Sequence, residues 1–173
     1  PTFLGRVASQ KPVDHPYWSE FSATVASGTE PLAKYKAAGV TMSLGTDGAA
    51  SNNDLDMFEA MRQAAFLAKL ATRDPTAVPA REALAMATIG GARALGLDRS
   101  IGSLEVGKKA DLITVSVDAA RQTPLYDPVS HLVYVARGTD VRTTIVNGRV
   151  LMLNRRPLTL DRAAVLADAN RLA

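Results

Sequence analysis

The sequence predicts an α/β fold that continues into a smaller β-rich part, and three observations support this. A helical pattern, a glycine, a β-prone run at residues 40–44 and a sharp turn follow one another, which is the order of a βα repeat in a parallel sheet. Two further helical segments come after that turn. Past Gly96 the pattern changes to short apolar runs separated by turn residues, which is typical of strands.

The first predicted helix and strand are placed by the proline, glycine and turn residues at their ends. Residues 1–27 show neither helical nor strand periodicity and form an unassigned opening segment. From Glu30 onward, Pro31 suits a first helical turn and Gly39 predicts the end of that helix. Residues 40–44 then predict a short strand that runs into the turn Gly45-Thr46-Asp47-Gly48.

Two helices are predicted next. The helix-capping residues at 51–54 predict the start of a helix over 55–70, and a second helix is predicted over 80–95. The apolar stripe of the first helix indicates core packing, and its members are Phe58, Met61, Ala65 and Ala68. The second helix is rich in alanine and glycine, which predicts a close approach to a neighbouring element at some cost in helix propensity.

The β-rich part begins with a predicted buried strand at 111–117. Two alternating apolar runs, 141–146 and 149–153, flank Asn147-Gly148, and this dipeptide predicts a hairpin because both residues accept positive φ. A last amphipathic helix is predicted over 161–172. Its apolar face consists of Val165, Leu166, Ala169 and Leu172.

Composition excludes several classes of function. The chain has 173 residues, of which 47% are hydrophobic and 21% charged, as in ordinary globular proteins. With no cysteine and only His15 and His131, it lacks thiolate chemistry and cannot by itself supply a multi-histidine metal site. The net charge of +3 is scattered and aromatic residues make up 5%, so no nucleic-acid binding is predicted.

Membrane association is not predicted either. The longest apolar stretch, at residues 83–92, is shorter than the ~20 residues that cross a bilayer. The sequence does not open on a charged and then apolar leader. Together with the lack of cysteine, this predicts a cytoplasmic protein.

Asp47 is the candidate functional residue. It directly follows a predicted strand, and catalytic groups of barrel enzymes stand at the carboxyl ends of strands. Taken alone, however, Thr-Asp-Gly after a strand is more often a turn in which the aspartate makes local hydrogen bonds. Both interpretations stay open on the residues themselves.

Four segments in order resemble one known family. Residues 39–62, GVTMSLGTDGAASNNDLDMFEAMR, resemble the last barrel strand and following helix of the metal-dependent amidohydrolase superfamily. The likeness is greatest to its methylthioadenosine/S-adenosylhomocysteine deaminase branch, near the chlorohydrolases, triazine hydrolases and guanine deaminases. The other matching segments are ATIGGARALGL at 87–97, IGSLEVGKKADL at 101–112, and the pair SHLVY and DVRTTIVNGR at 130–134 and 140–149.

The resemblance implies an architecture. Residues 28–98 would form the C-terminal end of a TIM (β/α)8 barrel, and residues 99–173 part of a small composite β-sandwich domain with a terminal helix. It covers only the C-terminal third of such an enzyme. The family's His-X-His pair, two further histidines and an acid/base glutamate have no counterpart in the matched segments.

The resemblance also implies an activity. In the family, the strand-end aspartate binds a divalent metal, here zinc with iron as the alternative, and helps to move a proton from the attacking water. That role falls on Asp47, both as metal ligand and as catalytic residue. The substrate would be a small heterocycle, an adenosine derivative or a related ring, deaminated through a metal-bound hydroxide. Helix capping is expected to explain Ser51, Asn52 and Asn53, and a structural hydrogen bond to explain His131.

A non-enzymatic alternative remains. The chain could be a catalytically inactive fragment, or a structural subunit that completes a barrel with another chain, because it lacks the metal-binding histidines. One or two barrel strands leave unpaired edges and apolar faces, which predicts self-association or a complementing chain. The 173 residues alone are expected to be inactive.

Overall fold

The computed structural model describes Tyr35 and residues 38–172, and these form helices and one antiparallel sheet. The helices are α1 (Ala49–Asn52), α2 (Met57–Thr72), α3 (Ala80–Ala87), α4 (Ile89–Ala94), α5 (Pro128–Tyr134) and α6 (Arg162–Leu172). The strands are β1 (Leu112–Val115), β2 (Val141–Val146), β3 (Arg149–Leu153) and β4 (Arg156–Pro157). Two 3-10 turns lie at Ala120–Gln122 and Gly138–Asp140.

The core lies among the helices. The apolar stripe predicted for α2 is buried in full, at Phe58, Met61, Ala65 and Ala68, so that prediction is confirmed. Because this stripe repeats at helical spacing, it presents one continuous face. The residues that join it in the core include Met42, Ala83, Met86 and Val133. Helices α3 and α5 and the segment before Asp47 therefore share one apolar centre with α2.

The start of α2 differs from the prediction. Asp56 caps it, and its Oδ1 accepts the Phe58 N–H at 2.8 Å. The capping cluster at 51–54 instead ends α1 and forms the turn after it. Asp56 has Glu59 three residues later, the spacing of a capping box, whereas a helix begun at 55 would have no such pair.

The single helix predicted over 80–95 is two helices that meet at Thr88. This residue has φ −125° and ψ −98°, and its Oγ1 donates to Leu84 O at 2.7 Å. Such back-bonding to the preceding turn bends helices. The predicted close approach occurs at Gly90, where an added Cβ would lie 2.7 Å from Met42 O.

Residues 40–44 form no strand with any part of the chain that the structure describes, contrary to the prediction. A parallel strand is defined by hydrogen-bonded neighbours, and every strand pair within residues 38–172 is antiparallel. The preceding helical stop is present. Gly39 has φ +73° and Val40 N–H donates to Tyr35 O at 3.0 Å, which is the Schellman closure of a helix end.

The sheet has the strand order β1-β2-β3-β4. The hairpin prediction is confirmed, because Asn147 and Gly148 join β2 to β3 with φ of 49° and 75°. Strand β1 is shorter than predicted and is not fully buried, since Ile113 is 47% exposed. Thr114 is exposed as well, so each face of β1 has one exposed residue, because successive strand residues point to opposite faces.

The terminal helix forms close to its predicted bounds. Asp161 caps α6 through Oδ1, which accepts the N–H groups of Ala163 and Ala164 at 2.9 and 3.2 Å. No residue of α6 is buried, so its predicted apolar face is exposed in the described structure. Among the described residues, no helix is both long and apolar enough to cross a membrane.

Candidate functional site

Asp47 stands in a tight turn directly after the segment that enters the core at Met42. Its φ is +61°, a left-handed conformation that aspartate tolerates better than most residues. Its Oδ1 accepts the Gly48 N–H at 2.7 Å, and Thr46 Oγ1 donates to Asp47 O at 3.1 Å. Asp47 is exposed, and the turn thus presents its carboxylate at the surface with one oxygen oriented by the backbone.

Asn52 closes the loop that follows Asp47. Its Nδ2 donates to Thr46 O at 2.6 Å and to Asp54 O at 2.8 Å, so one side chain joins the beginning of the loop to its end. Asn52 N–H also donates to Gly48 O at 3.0 Å. Helix capping, the role expected for Asn52, is therefore not its role in this structure.

Asp56 attaches the end of this loop to a distant part of the chain. While Oδ1 caps α2, Oδ2 accepts the Gly138 N–H at 2.7 Å. Gly138 leaves room for this contact, because a Cβ there would lie 3.2 Å from Asp56 Oδ2 and 3.3 Å from its Cγ. One carboxylate thus serves two backbone donors 80 residues apart.

The segment that receives Asp56 is itself fixed to the sheet. Asp140 is 8% exposed, its Oδ2 accepts the Arg137 N–H at 2.9 Å, and its Oδ1 pairs with Arg121 Nη2. Ser116, just past β1, donates its N–H to Asp140 O at 2.9 Å. The 3-10 turn Gly138–Asp140 is therefore a rigid point next to the sheet.

Arg62 adds a second tie between the helices and this region. Its Nε donates to Tyr134 O at 3.1 Å and its Nη2 to Ala136 O at 2.6 Å, while Nη1 pairs with Glu59 at 2.6 Å. The guanidinium thereby satisfies carbonyls at the C-terminal end of α5. α2 and α5 are held together by this cap as well as by apolar packing.

His131 lies on α5 and is 7% exposed. Its Nε2 has no hydrogen-bond partner among the described residues, so the structural hydrogen bond expected of this side chain is not found at that nitrogen. His15 and the rest of residues 1–34 lie outside the described part of the chain.

Three surface carboxylates, those of Asp74, Glu105 and Asp118, have lowered pKa values. The Thr76 hydroxyl and N–H lower the pKa of Asp74. The Ser103 hydroxyl, aided by Lys108, lowers the pKa of Glu105, and the Ser116 hydroxyl lowers that of Asp118. Each shift comes from a short-range hydrogen bond that stabilises the charged carboxylate at a surface turn.

The described residues do not form a complete metal site. A carboxylate such as that of Asp47 is a suitable ligand for zinc or another divalent cation. Within Tyr35 and residues 38–172, however, no group of three or more His, Cys, Asp or Glu side chains could hold a metal ion. Asp47 fits one position in a ligand set, and the other ligands would have to come from elsewhere.

Sequence reasoning identified Asp47 but missed the residues that hold its loop. Asp56 had a readable signal, since the spacing Asp56-x-x-Glu59 predicts a helix start there. Its second contact, with Gly138, had none, because no periodic pattern relates residues so distant in sequence. The same holds for Arg62 and the carbonyls at the end of α5.

Comparison with known proteins gives a family match. The model of the amidohydrolase family matches residues 8–151, which reaches into the opening segment left unassigned above. A 5'-deoxyadenosine deaminase of Methanosarcina barkeri is 54% identical over 149 residues, covering 86% of this chain and 34% of the relative. A 5-methylthioadenosine/S-adenosylhomocysteine deaminase of Moorella thermoacetica is 48% identical, covering 95% and 39%.

The chain is also similar to solved structures of a deaminase and a chlorohydrolase. An adenosine deaminase from Xanthomonas campestris with bound zinc superposes with a TM-score of 0.80 at 44% identity, over 86% of this chain and 34% of that one. The atrazine chlorohydrolase of Arthrobacter aurescens complexed with zinc gives a TM-score of 0.70 at 33% identity, over 84% and 32%. The chain spans about a third of the length of the relatives it matches.

Proposed function

The chain belongs to the amidohydrolase family, and from this premise we propose that it supplies the C-terminal part of a metal-dependent hydrolase that deaminates an adenosine derivative. The observation that carries the proposal is Asp47, exposed at φ +61° in a turn between the helical core and α1. Relatives named as deaminases of 5'-deoxyadenosine and of methylthioadenosine support the reaction and its substrate class.

In this proposal the architecture divides near residue 98. Residues 28–98 are the end of a TIM barrel, with α2, α3 and α4 on its outer surface, and residues 99–173 are part of a small β-sandwich with α6 after it. The antiparallel sheet β1–β4 leaves apolar side chains such as Ile113 and Val146 exposed. This supports half of a sandwich, because a sandwich buries the inner faces of two sheets.

Asp47 is proposed as a metal ligand and as the group that moves a proton. A bound zinc, or iron in its place, would lower the pKa of water at the site and polarise the substrate. The Gly48 N–H holds Asp47 Oδ1 in a fixed direction, so the carboxylate meets its partners without first having to be ordered. A carboxylate in this position can accept a proton from water and return it to the leaving amine.

The substrate class follows from the chemistry of the proposed reaction. Hydrolytic deamination replaces the exocyclic amine of a ring amidine by oxygen and releases ammonia, so the substrate is a small aminoheterocycle. The relatives named as deaminases of 5'-deoxyadenosine and methylthioadenosine favour the adenine type among these rings. Tyr35 and residues 38–172 contain no group of three or more His, Cys, Asp or Glu side chains that could hold a metal ion. The remaining ligands and the ring-binding residues are therefore proposed to lie outside the described part of the chain.

The test is Asp47→Asn in a polypeptide that joins this segment to the other strands of the barrel. Ammonia release from 5'-deoxyadenosine or methylthioadenosine should fall by at least about 100-fold, since a positioned acid–base group contributes roughly 10²–10⁴-fold. Zinc content per chain, measured by elemental analysis, should fall as well. The melting temperature should change little, because Asp47 is exposed.

The matched control is Asp168→Asn, the same chemical change on exposed α6, where Asp168 pairs only with Arg171 at 3.0 Å among its described contacts. It should retain zinc and turnover. Wild-type zinc content and ammonia release in Asp47→Asn would refute the assignment of Asp47 as ligand and proton carrier.

A further inference from the structure

We infer that Asp56 is the positioning residue for the Asp47 turn, because its carboxylate couples the loop that carries Asp47 to the 3-10 turn beside the sheet. This inference rests on the proposed function of Asp47. The relevant loop, residues 46–56, begins beside Asp47 and ends at the cap of α2.

The segment that leads into the loop is fixed by one backbone hydrogen bond and by apolar packing. Two residues before Thr46, Leu44 N–H donates to Met86 O at 3.2 Å, and Met42 is buried in the core. The loop then leaves the core, because Thr46 is its last half-buried residue before the exposed run from Asp47 onward. Apolar packing therefore holds residues 42–44 but not the turn itself.

The far end is fixed by the carboxylate of Asp56. Its Oδ2 accepts the Gly138 N–H at 2.7 Å, a distance typical of strong hydrogen bonds to a charged acceptor. Gly138 belongs to the segment that Asp140, Arg121 and Ser116 fix to the sheet. Asp56 thus attaches the loop to the 3-10 turn Gly138–Asp140, which is bonded to the sheet as well as to α2.

Asn52 transmits this restraint to Asp47. Its Nδ2 bonds both Thr46 O and Asp54 O, so the residue before Asp47 is linked to a residue two positions before Asp56. A loop with fixed ends has fewer conformations than one with a free end. The left-handed φ of Asp47 is then one of few arrangements that satisfy both ends.

The variants separate this coupling from helix capping. Serine is as good an N-cap as aspartate, but its Oγ ends one bond earlier than a carboxylate oxygen. Asp56→Ser therefore keeps the cap on Phe58 N–H and removes the bond to Gly138, whereas Asp56→Ala removes both. Asp161→Ser is the matched control, because Asp161 caps α6 through Oδ1 far along the chain from Asp47.

The experiment is amide hydrogen exchange by NMR on the 173-residue chain. In Asp56→Ser, the amides of Gly138 and of Asn52, Asn53 and Asp54 should exchange about 10-fold faster, the effect of one hydrogen bond to a charged group. The first amides of α2 should keep their wild-type rates. Asp161→Ser should leave all of these unchanged.

Two results would overturn the inference. If Asp56→Ser accelerates Gly138 alone, the carboxylate is a tether without influence on the Asp47 loop. If Asp56→Ser matches the wild type while Asp56→Ala accelerates residues 52–54, capping of α2 explains the residue fully.

A kinetic measurement completes the test in the zinc-loaded enzyme that contains this segment. Asp56→Ser should lower kcat about tenfold and leave KM within about twofold, because displaced catalytic groups reduce the rate more than binding. An unchanged kcat would overturn the positioning role. Failure of the proposed function is distinguishable, since it would show as wild-type turnover in Asp47→Asn, whereas exchange at residues 52–54 does not depend on activity.

Discussion

The two adjacent glycines of α4 should respond to alanine with opposite signs. At Gly90, an added Cβ would lie 2.7 Å from Met42 O and 2.9 Å from Ala85 O. Both are backbone atoms, and 2.7 Å is 0.7 Å inside the 3.4 Å at which ordinary contact begins. At Gly91 the nearest atom, Met86 O, would be 3.6 Å away, which is an ordinary contact.

The magnitudes follow from two opposing effects. Alanine gains about 0.5–1 kcal/mol over glycine inside a helix. Overpacking against atoms that cannot move costs about 1–3 kcal/mol, or more where backbone must shift. Gly90→Ala should therefore lower the free energy of unfolding by about 1–2 kcal/mol, and Gly91→Ala should raise it by about 0.5–1 kcal/mol.

Calorimetry and urea unfolding measure both variants on the same chain. For a protein of this size, 1 kcal/mol shifts Tm by about 2–4 °C, so Gly90→Ala should melt roughly 2–8 °C lower and Gly91→Ala roughly 1–4 °C higher. Since Met42 lies five residues before Asp47, amide resonances near Asp47 should also shift in Gly90→Ala. A Tm at or above wild type for Gly90→Ala would refute the close approach of α4 to this segment.

Two further outcomes follow from hydrogen bonds, one set partly buried at Lys69 and one exposed at Asp74. Lys69 Nζ donates to the carbonyls of residues 77–78 at 2.7 and 2.9 Å, so Lys69→Met should cost about 2–3 kcal/mol, and exposed Lys109→Met well under 1 kcal/mol, by urea unfolding. Thr76→Val removes the hydroxyl that most lowers the pKa of Asp74, so an NMR titration should show that pKa rising toward 3.8. The stability that Asp74 contributes is present above pH 3.8 and is lost as the pH falls through its lower folded pKa; an unchanged pKa would refute the role of Thr76.

Features decided within a few residues could be predicted from the sequence. The hairpin at Asn147-Gly148, the helix end at Gly39 and the apolar stripe of α2 all follow from local φ preferences or from helical periodicity. The structure contains each of them. Their signals depend on residue type alone, so no knowledge of distant neighbours is needed.

Features that depend on a choice among several similar residues, or on contacts between residues far apart in the sequence, could not be predicted. Five polar residues of capping type precede α2, at positions 51–54 and 56. Residue type does not distinguish among them, and the structure shows that Asp56 is the cap. The break at Thr88 arises from one hydroxyl bond to Leu84 O, which a helical pattern does not reveal. Residues 40–44 have the composition of a strand, but a strand also needs partners, and the described residues provide none for them.

The candidate site also combines features set by local residue type with features set by distant contacts. Asp47 has a recognisable pattern because a turn and a family motif coincide there, whereas Gly90 and Asp56 each have an ordinary explanation from the sequence, as a small helix residue and as a cap. Each has a second role that the structure shows. The absence of a Cβ at Gly90 allows Met42 O to approach α4 before the turn, and Asp56 Oδ2 accepts the Gly138 N–H after it. The precision of a catalytic group depends on the residues that fix its backbone. The Asp47 turn is therefore specified by contacts at both of its ends, and it is these contacts that residue type alone leaves undetermined.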